Sequence, residues 1–227
     1  MAITTRCAVL FRRCANSGCA TTRYPRTFAI TARLLSRSRQ RTDEVSRARN
    51  AGAILYFLAA GSGFMFAEMA FLQSFTFVFG NPVIAFTVLL AELLVLSGIG
   101  GAVSARWTRR RLPAVLIILV ICQVTLFALF DPVQQRLLQA SPAVLALGSF
   151  GLLAPIALLM GVPFPVGLRL LVSSPRLQAF GWGANGVASV MASILAIPLT
   201  MIWSIGGLLL LAAICYALML GIAILRD

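Results

Sequence analysis

Lysine and histidine are absent from these 227 residues, and only six residues are acidic. Without histidine, the Ser-His-Asp and Cys-His catalytic arrangements and the common imidazole metal sites are excluded. The five cysteines do not replace them. Cys7, Cys14 and Cys19 lie at spacings that match no common zinc or redox motif, and Cys122 and Cys215 sit inside apolar runs, where a small buried hydrophobe is the ordinary role. No catalytic residue, metal ligand or cofactor site is therefore expected. Charge is scarce altogether: 11% of residues are charged and 60% hydrophobic, with a mean hydropathy of +0.95. Soluble domains are about half apolar and about a quarter charged, so this composition is that of a membrane protein.

The charge that is present is unevenly placed. All 19 basic residues are arginine, and 11 of them fall between Arg6 and Arg49, against Asp43 and Glu44 alone. A sequence pI near 11.4 raises nucleic-acid binding as a reading. The basic segment, however, lacks the interleaved aromatics of a single-strand groove and any zinc-finger spacing. Polybasic segments beside a bilayer orient the protein or touch anionic lipid, so the lipid bilayer, not nucleic acid, is the expected partner. Residues 1–50 show no apolar period and are read as a disordered basic tail, with residues 51–227 as the transmembrane domain. The richness of the tail in Arg, Ser and Thr also fits an organellar transit peptide. A remnant of a lost domain and a misplaced start are the competing readings.

From Ala51 onward, apolar runs of bilayer-crossing length follow one another, each needing about 20 residues. Helices are expected near 53–79, 82–105, 112–130, 143–172, 179–203 and 205–225, the last two joined at Ser204-Ile205-Gly206-Gly207. The fold class is thus all-α, a polytopic bundle of about six spans. The connections alternate: the tail is basic, Gly80-Asn81-Pro82 is uncharged, Arg106 to Arg111 carries four arginines, Asp131 to Pro142 is neutral, Arg169 to Gln178 carries two, and the final turn has none. The positive-inside rule then puts both termini in the cytoplasm, with the bacterial inner membrane as the expected location ahead of an organellar one.

Few polar residues interrupt the runs. Glu68 and Glu92 lie about 12 residues either side of the turn at residues 80 and 81, hence at one depth, roughly 18 Å from the outer face. Intramembrane carboxyls are costly and are functional candidates by default. A facing pair would share a proton and could relay protons or cations. The structural alternative is a protonated carboxyl hydrogen-bonded to Gln73, Gln123, Ser97 or a freed backbone carbonyl. Pro155 and Pro163-Phe164-Pro165 disrupt the fourth run, so its inner end must be buried or wet. Arg169 and Asn185 lie near that break, either edging a small polar pocket or docking surface or, more plainly, snorkelling and joining two helices. Asn185, Ser189, Ala192 and Ala196 make a small-residue stripe, read as a packing face. Gly181-Trp182-Gly183-Ala184-Asn185-Gly186 satisfies G-x-G-x-x-G literally, but without a strand before it or an acid about 20 residues on, it is not a dinucleotide site.

Taken in order, Gly63 to Gln73, Gly80-Asn81-Pro82, Ser97-Gly98-Ile99-Gly100, Met160 to Arg169, and Trp182 to Gly186 with Ser189-Val190 resemble the membrane module of polytopic bacterial spermidine synthase-like proteins. The resemblance covers about residues 51–225. It marks Glu68, Gln73, Pro163, Phe164, Pro165, Arg169 and Asn185 as motif positions. In that family a soluble aminopropyltransferase-like domain carries the chemistry, and residues 51–225 contain no strand-rich segment, glycine loop after a strand or acidic substrate pocket. The resemblance therefore implies a module with no enzyme activity of its own, anchoring or partnering a cytosolic aminopropyltransferase-like domain. The alternative is a small transporter for a cationic metabolite such as a polyamine, with Glu68 and Glu92 as counter-charges. A structural subunit of a larger complex, or a homo-oligomer, completes the set.

Overall fold

A computed structural model describes residues 26–108, 110–129, 135, 142–172 and 174–225. The chain divides into two compact units, Met1–Ala48 and Arg49–Asp227. Its helices are α1 (Arg26–Phe79), α2 (Pro82–Val103), α3 (Arg111–Ala128), α4 (Pro142–Met160), α5 (Pro163–Leu171) and α6 (Pro175–Ile224), with a 3-10 turn at Ser104–Arg106. No strand occurs among the described residues. Five segments are long and apolar enough to cross a membrane: Asn50–Phe79, Pro82–Arg106, Arg111–Ala128, Phe150–Leu171 and Pro175–Ile224.

Three expectations are corrected. The disorder assigned to residues 1–50 does not hold from Arg26 onward, where α1 is already helical. Pro25 is followed by a run free of Gly and Pro as far as Gly52. That run is rich in Arg and Ala, residues of high helix propensity, so the absence of breakers and the propensity of these residues suffice where apolar periodicity is missing. Residues 1–25 lie outside the described residues. The second correction concerns the run 143–172, which is two helices, not one. Pro155 is accommodated inside α4, whereas Gly161 and Val162 interrupt the chain and Pro163 opens α5. Two prolines two residues apart remove successive amide donors, which a single helix cannot absorb as it does one. The third is the start of the next helix, which begins at Pro175 and not near 179, because Ser174 caps it through the amide of Leu177 at 3.3 Å.

The turn between α1 and α2 follows from local chemistry. Gly80 adopts φ +63°, the left-handed conformation that ends helices at glycine. Asn81 then accepts hydrogen bonds from the amides of Val83 (3.0 Å) and Ile84 (3.3 Å), and Pro82 takes the first helical position, where a missing donor costs nothing.

Helix α6 is 50 residues long, but Ser204 sits at φ 73° and ψ 168°, which breaks it into arms 175–203 and 205–224. The arms fold back on each other along α1. Gly61 of α1 packs against the Asn185 carbonyl and Ser189 Oγ of the first arm. A Cβ on Gly63 would lie 3.0 Å from Cys215 and 3.6 Å from the Ala212 carbonyl of the second arm. An unbroken helix would hold Ser189 and Ala212 about 35 Å apart, whereas Gly61 and Gly63 differ by about 3 Å in rise. Trp203 closes the kink over Gly207.

Asn50–Phe79 is the hub of its unit. Of its most apolar stretch 61% is buried, against 28% in α2 and α3. Exposed Leu, Ile, Val and Phe side chains cover the outer helices, including Leu94, Val95, Ile121, Val190 and Ile194. An apolar exterior of this kind suits lipid as the solvent. Helices α2 and α4 cross with backbones in contact: Gly100 abuts the Leu158 carbonyl and Gly161 abuts the Ser97 carbonyl, leaving no room for a side chain at either.

Candidate functional site

The hairpin brings residues equidistant from Gly80 to one level. Ala60, Gly61, Phe64 and Met65 of α1 meet Leu94, Ser97, Gly98 and Gly101 of α2 on the wall of one cavity of about 640 Å³. The break between α4 and α5 supplies Met160, Gly161, Pro163, Phe164, Pro165 and Leu168, and the two arms of α6 add Trp182, Asn185, Ser189 and Tyr216. Motif segments that lie far apart in sequence thus converge on a single space.

Each wall is held by specific contacts. The Tyr56 hydroxyl, on a fully buried ring, donates to the Pro163 carbonyl at 2.8 Å and pins the start of α5 to α1. Gly167 lets the same ring pass against α5, and Gly181 receives the Phe57 ring, where a Cβ would lie 2.7 Å from Cδ2. Phe57, Phe164 and Trp182 form a chain of edge-to-face pairs with centroid separations of 5.7 and 4.7 Å. Ser193 Oγ sits 3.1 Å from Met65 Sδ and donates to the Ser189 carbonyl at 2.8 Å. As the proline motif requires, the inner end of this run is buried, with Pro163, Val162, Val166 and Gly167 all shielded.

The other candidates lie elsewhere. Arg169 is exposed and does not line the cavity. Its Nη2 donates to the carbonyls of Ser104 (3.1 Å) and Trp107 (3.0 Å), while Arg111 stacks 5.6 Å over the Trp107 ring. The Ser104 carbonyl also accepts the Trp107 amide at 2.9 Å, and a cation on carbonyls at the end of a helix complements the dipole, so Arg169 clasps the end of α2 to α5. Gln73 is half-buried on α1, away from the cavity lining.

Glu68 and Glu92 are both buried, at 8% and 4% exposure, and the hairpin sets them at corresponding distances from the turn. Glu92 borders a separate groove of about 380 Å³ with Val88, Ala91, Val95, Leu96 and Phe150. Neither of its carboxyl oxygens has a hydrogen-bond partner. Gln123, the amide that sequence reasoning offers as a partner, is fully buried and equally without one. Neither glutamate lines the large cavity. No cluster of three or more His, Cys, Asp or Glu side chains able to hold a metal ion occurs among the described residues.

Tyr216 is the polar cavity residue that sequence reasoning misses. It is 1% exposed, its ring touches the Gly63 position, and its hydroxyl has no partner. The available signal is one hydroxyl-bearing ring in the otherwise apolar run from Leu208 to Ile224. No protein-family model, curated protein or solved structure matches the chain.

Proposed function

We propose that the chain is a non-catalytic integral membrane module, akin to the membrane part of polytopic spermidine synthase-like proteins, that anchors an aminopropyltransferase-like domain at the cytoplasmic face of the bacterial inner membrane. The module crosses the bilayer six times, counting the two arms of α6 separately, with both termini inside. The observation that carries this reading is the convergence of the motif segments on one cavity. Ser97, Gly98, Pro163, Phe164, Pro165, Trp182, Asn185 and Ser189 come from three stretches of sequence and line it together, as expected if the ordered motifs mark one inherited piece of architecture. The proposed cytoplasmic edge is ordered by Arg169, Arg111 and Trp107, which gives a partner a fixed surface.

Transport of a cation fits the geometry less well. It needs the intramembrane carboxyls on the permeation path, and the cavity wall contains neither Glu68 nor Glu92. The test is photo-crosslinking in native membranes from probes placed at Thr108 and Arg176. Anchoring predicts a crosslinked soluble polypeptide with aminopropyltransferase-like sequence at both positions. Crosslinks confined to lipid and other membrane proteins contradict it.

A further inference from the structure

We propose that the end of the bundle where α2, α3 and α5 meet is a binding site for the phosphate of an anionic phospholipid, held by Arg106, Arg110, Arg111 and Arg169. These arginines come from elements that the fold brings together, because α5 packs against α2, the 3-10 turn that ends it, and α3. Trp107 is the centre of the cluster: Arg169 donates to its carbonyl at 3.0 Å and Arg111 stacks over its ring at 5.6 Å. All four arginines are exposed, and none makes an ion pair among the described residues. Their nearest acids in sequence are Glu92, buried within α2, and Asp131, which follows the far end of α3. Arg169 engages only Nη2 on the Ser104 and Trp107 carbonyls, so Nε and Nη1 keep free donors. Cations gathered without a counter-charge repel one another, and an anion set among them removes that repulsion.

The chemistry of the cluster selects a phosphate, and its surroundings select a lipid to carry it. The planar guanidinium matches the oxygens of a phosphate, and every basic residue of the chain is arginine. Apolar surface leads away from the same side chains in rows. Arg106 stands at the foot of Val95, Ile99 and Val103 on α2, and Arg110 at the head of Ala114, Ile117 and Ile121 on α3, all of them exposed. A headgroup among the arginines therefore lays its acyl chains along lipid-facing helix surfaces, which a free phosphate or an acidic protein does not use. A zwitterionic headgroup would bring a cation of its own into the cluster, so a net negative one is favoured. The inference does not rest on the anchoring role: a module with no soluble partner would still bind the lipid, and an anchor indifferent to headgroup charge would still crosslink.

Quenching of Trp107 by brominated lipid, on the full chain in nanodiscs, reads the site. Trp182→Phe and Trp203→Phe leave Trp107 as the sole tryptophan. Brominated phosphatidylglycerol should quench it at a lower mole fraction than brominated phosphatidylcholine. Arg106→Gln together with Arg110→Gln, whose side chains make no hydrogen bond or ion pair among the described residues, should reduce that preference about tenfold. Arg33→Gln together with Arg37→Gln, which removes two charges from the N-terminal stretch of α1, should leave it unchanged. Equal quenching by the two lipids overturns the proposal and leaves the arginines to an acidic protein surface. So does an equal loss in the two pairs of variants, which would make the preference one of net charge alone. Displacement of the lipid by an equal concentration of glycerophosphate would assign the cluster to free phosphate and likewise overturn it.

Discussion

Gly100→Ala and Gly98→Ala, two residues apart on the same helix, are expected to act in opposite directions. A methyl on Gly100 would occupy the position of the Leu158 carbonyl, and one on Gly161 that of the Ser97 carbonyl. The obstacle is backbone in both cases, so no rotamer change relieves it and α2 must separate from α4. Overpacking of a close-packed site costs typically 1–3 kcal/mol and occasionally more, and a clash with main chain belongs at the upper end, about 3 kcal/mol. Gly98 faces open space, and there alanine gains helix propensity worth up to about 1 kcal/mol. Unfolding by denaturant in mixed micelles reads both. Equal and small effects at the two positions would mean that α2 and α4 do not cross where their glycines place them.

Glu92→Leu should stabilise the bundle. A carboxyl deep in a transmembrane segment costs about 2.5–3.5 kcal/mol on insertion scales. Such a cost is offset where hydrogen bonds or an opposite charge meet the group, but both Glu92 oxygens are unpartnered and the groove beside them is lined by Val88, Val95, Leu96 and Phe150. Leucine has nearly the same reach and leaves no orphaned polar atom, so a gain of about 2 kcal/mol is expected. Glu92→Gln, which removes the charge but keeps two polar groups without partners, should gain less. The same unfolding measurement serves. Destabilisation by Glu92→Leu would mean that the carboxyl has a favourable role in the bundle and would restore the relay reading, in which Glu68 and Glu92 act as a pair.

Much of this architecture is legible in the sequence because proline, glycine and asparagine act locally. Gly80-Asn81-Pro82 encodes its own turn; Ser174-Pro175 and the prolines at 163 and 165 also carry local signals, but apolar run length outweighs them when the sequence is read alone, putting the helix start near 179 and one helix across 143–172. The helical stretch from Arg26 to Arg49 is less legible, since its signal is the mere absence of helix breakers and not an apolar stripe. The cavity is only half legible. Ordered motifs single out Pro163, Phe164, Pro165 and Asn185, which do line it, together with Glu68, Gln73 and Arg169, which do not. What decides between them is which face of each helix meets which neighbour. Arg169 reaches the carbonyls of Ser104 and Trp107 across 65 and 62 positions of sequence, and Tyr56 reaches Pro163 across 107. Pairings over such separations leave no mark in local periodicity. Tyr216 is overlooked for the same reason, because its place on the cavity wall depends on helices distant from it in sequence.

The central claim is a hairpin-built bundle in which the kink at Ser204 returns the chain to the side from which α6 set out. Labelling of single cysteines with a membrane-impermeant maleimide, in a background lacking the five native ones, tests it directly. Positions 81 and 204 should react in intact spheroplasts, and positions 108, 174 and 225 only in inside-out vesicles. Reaction of positions 174 and 225 from opposite sides would make α6 a single crossing and contradict both the fold-back at Ser204 and the cavity assembled from its two arms.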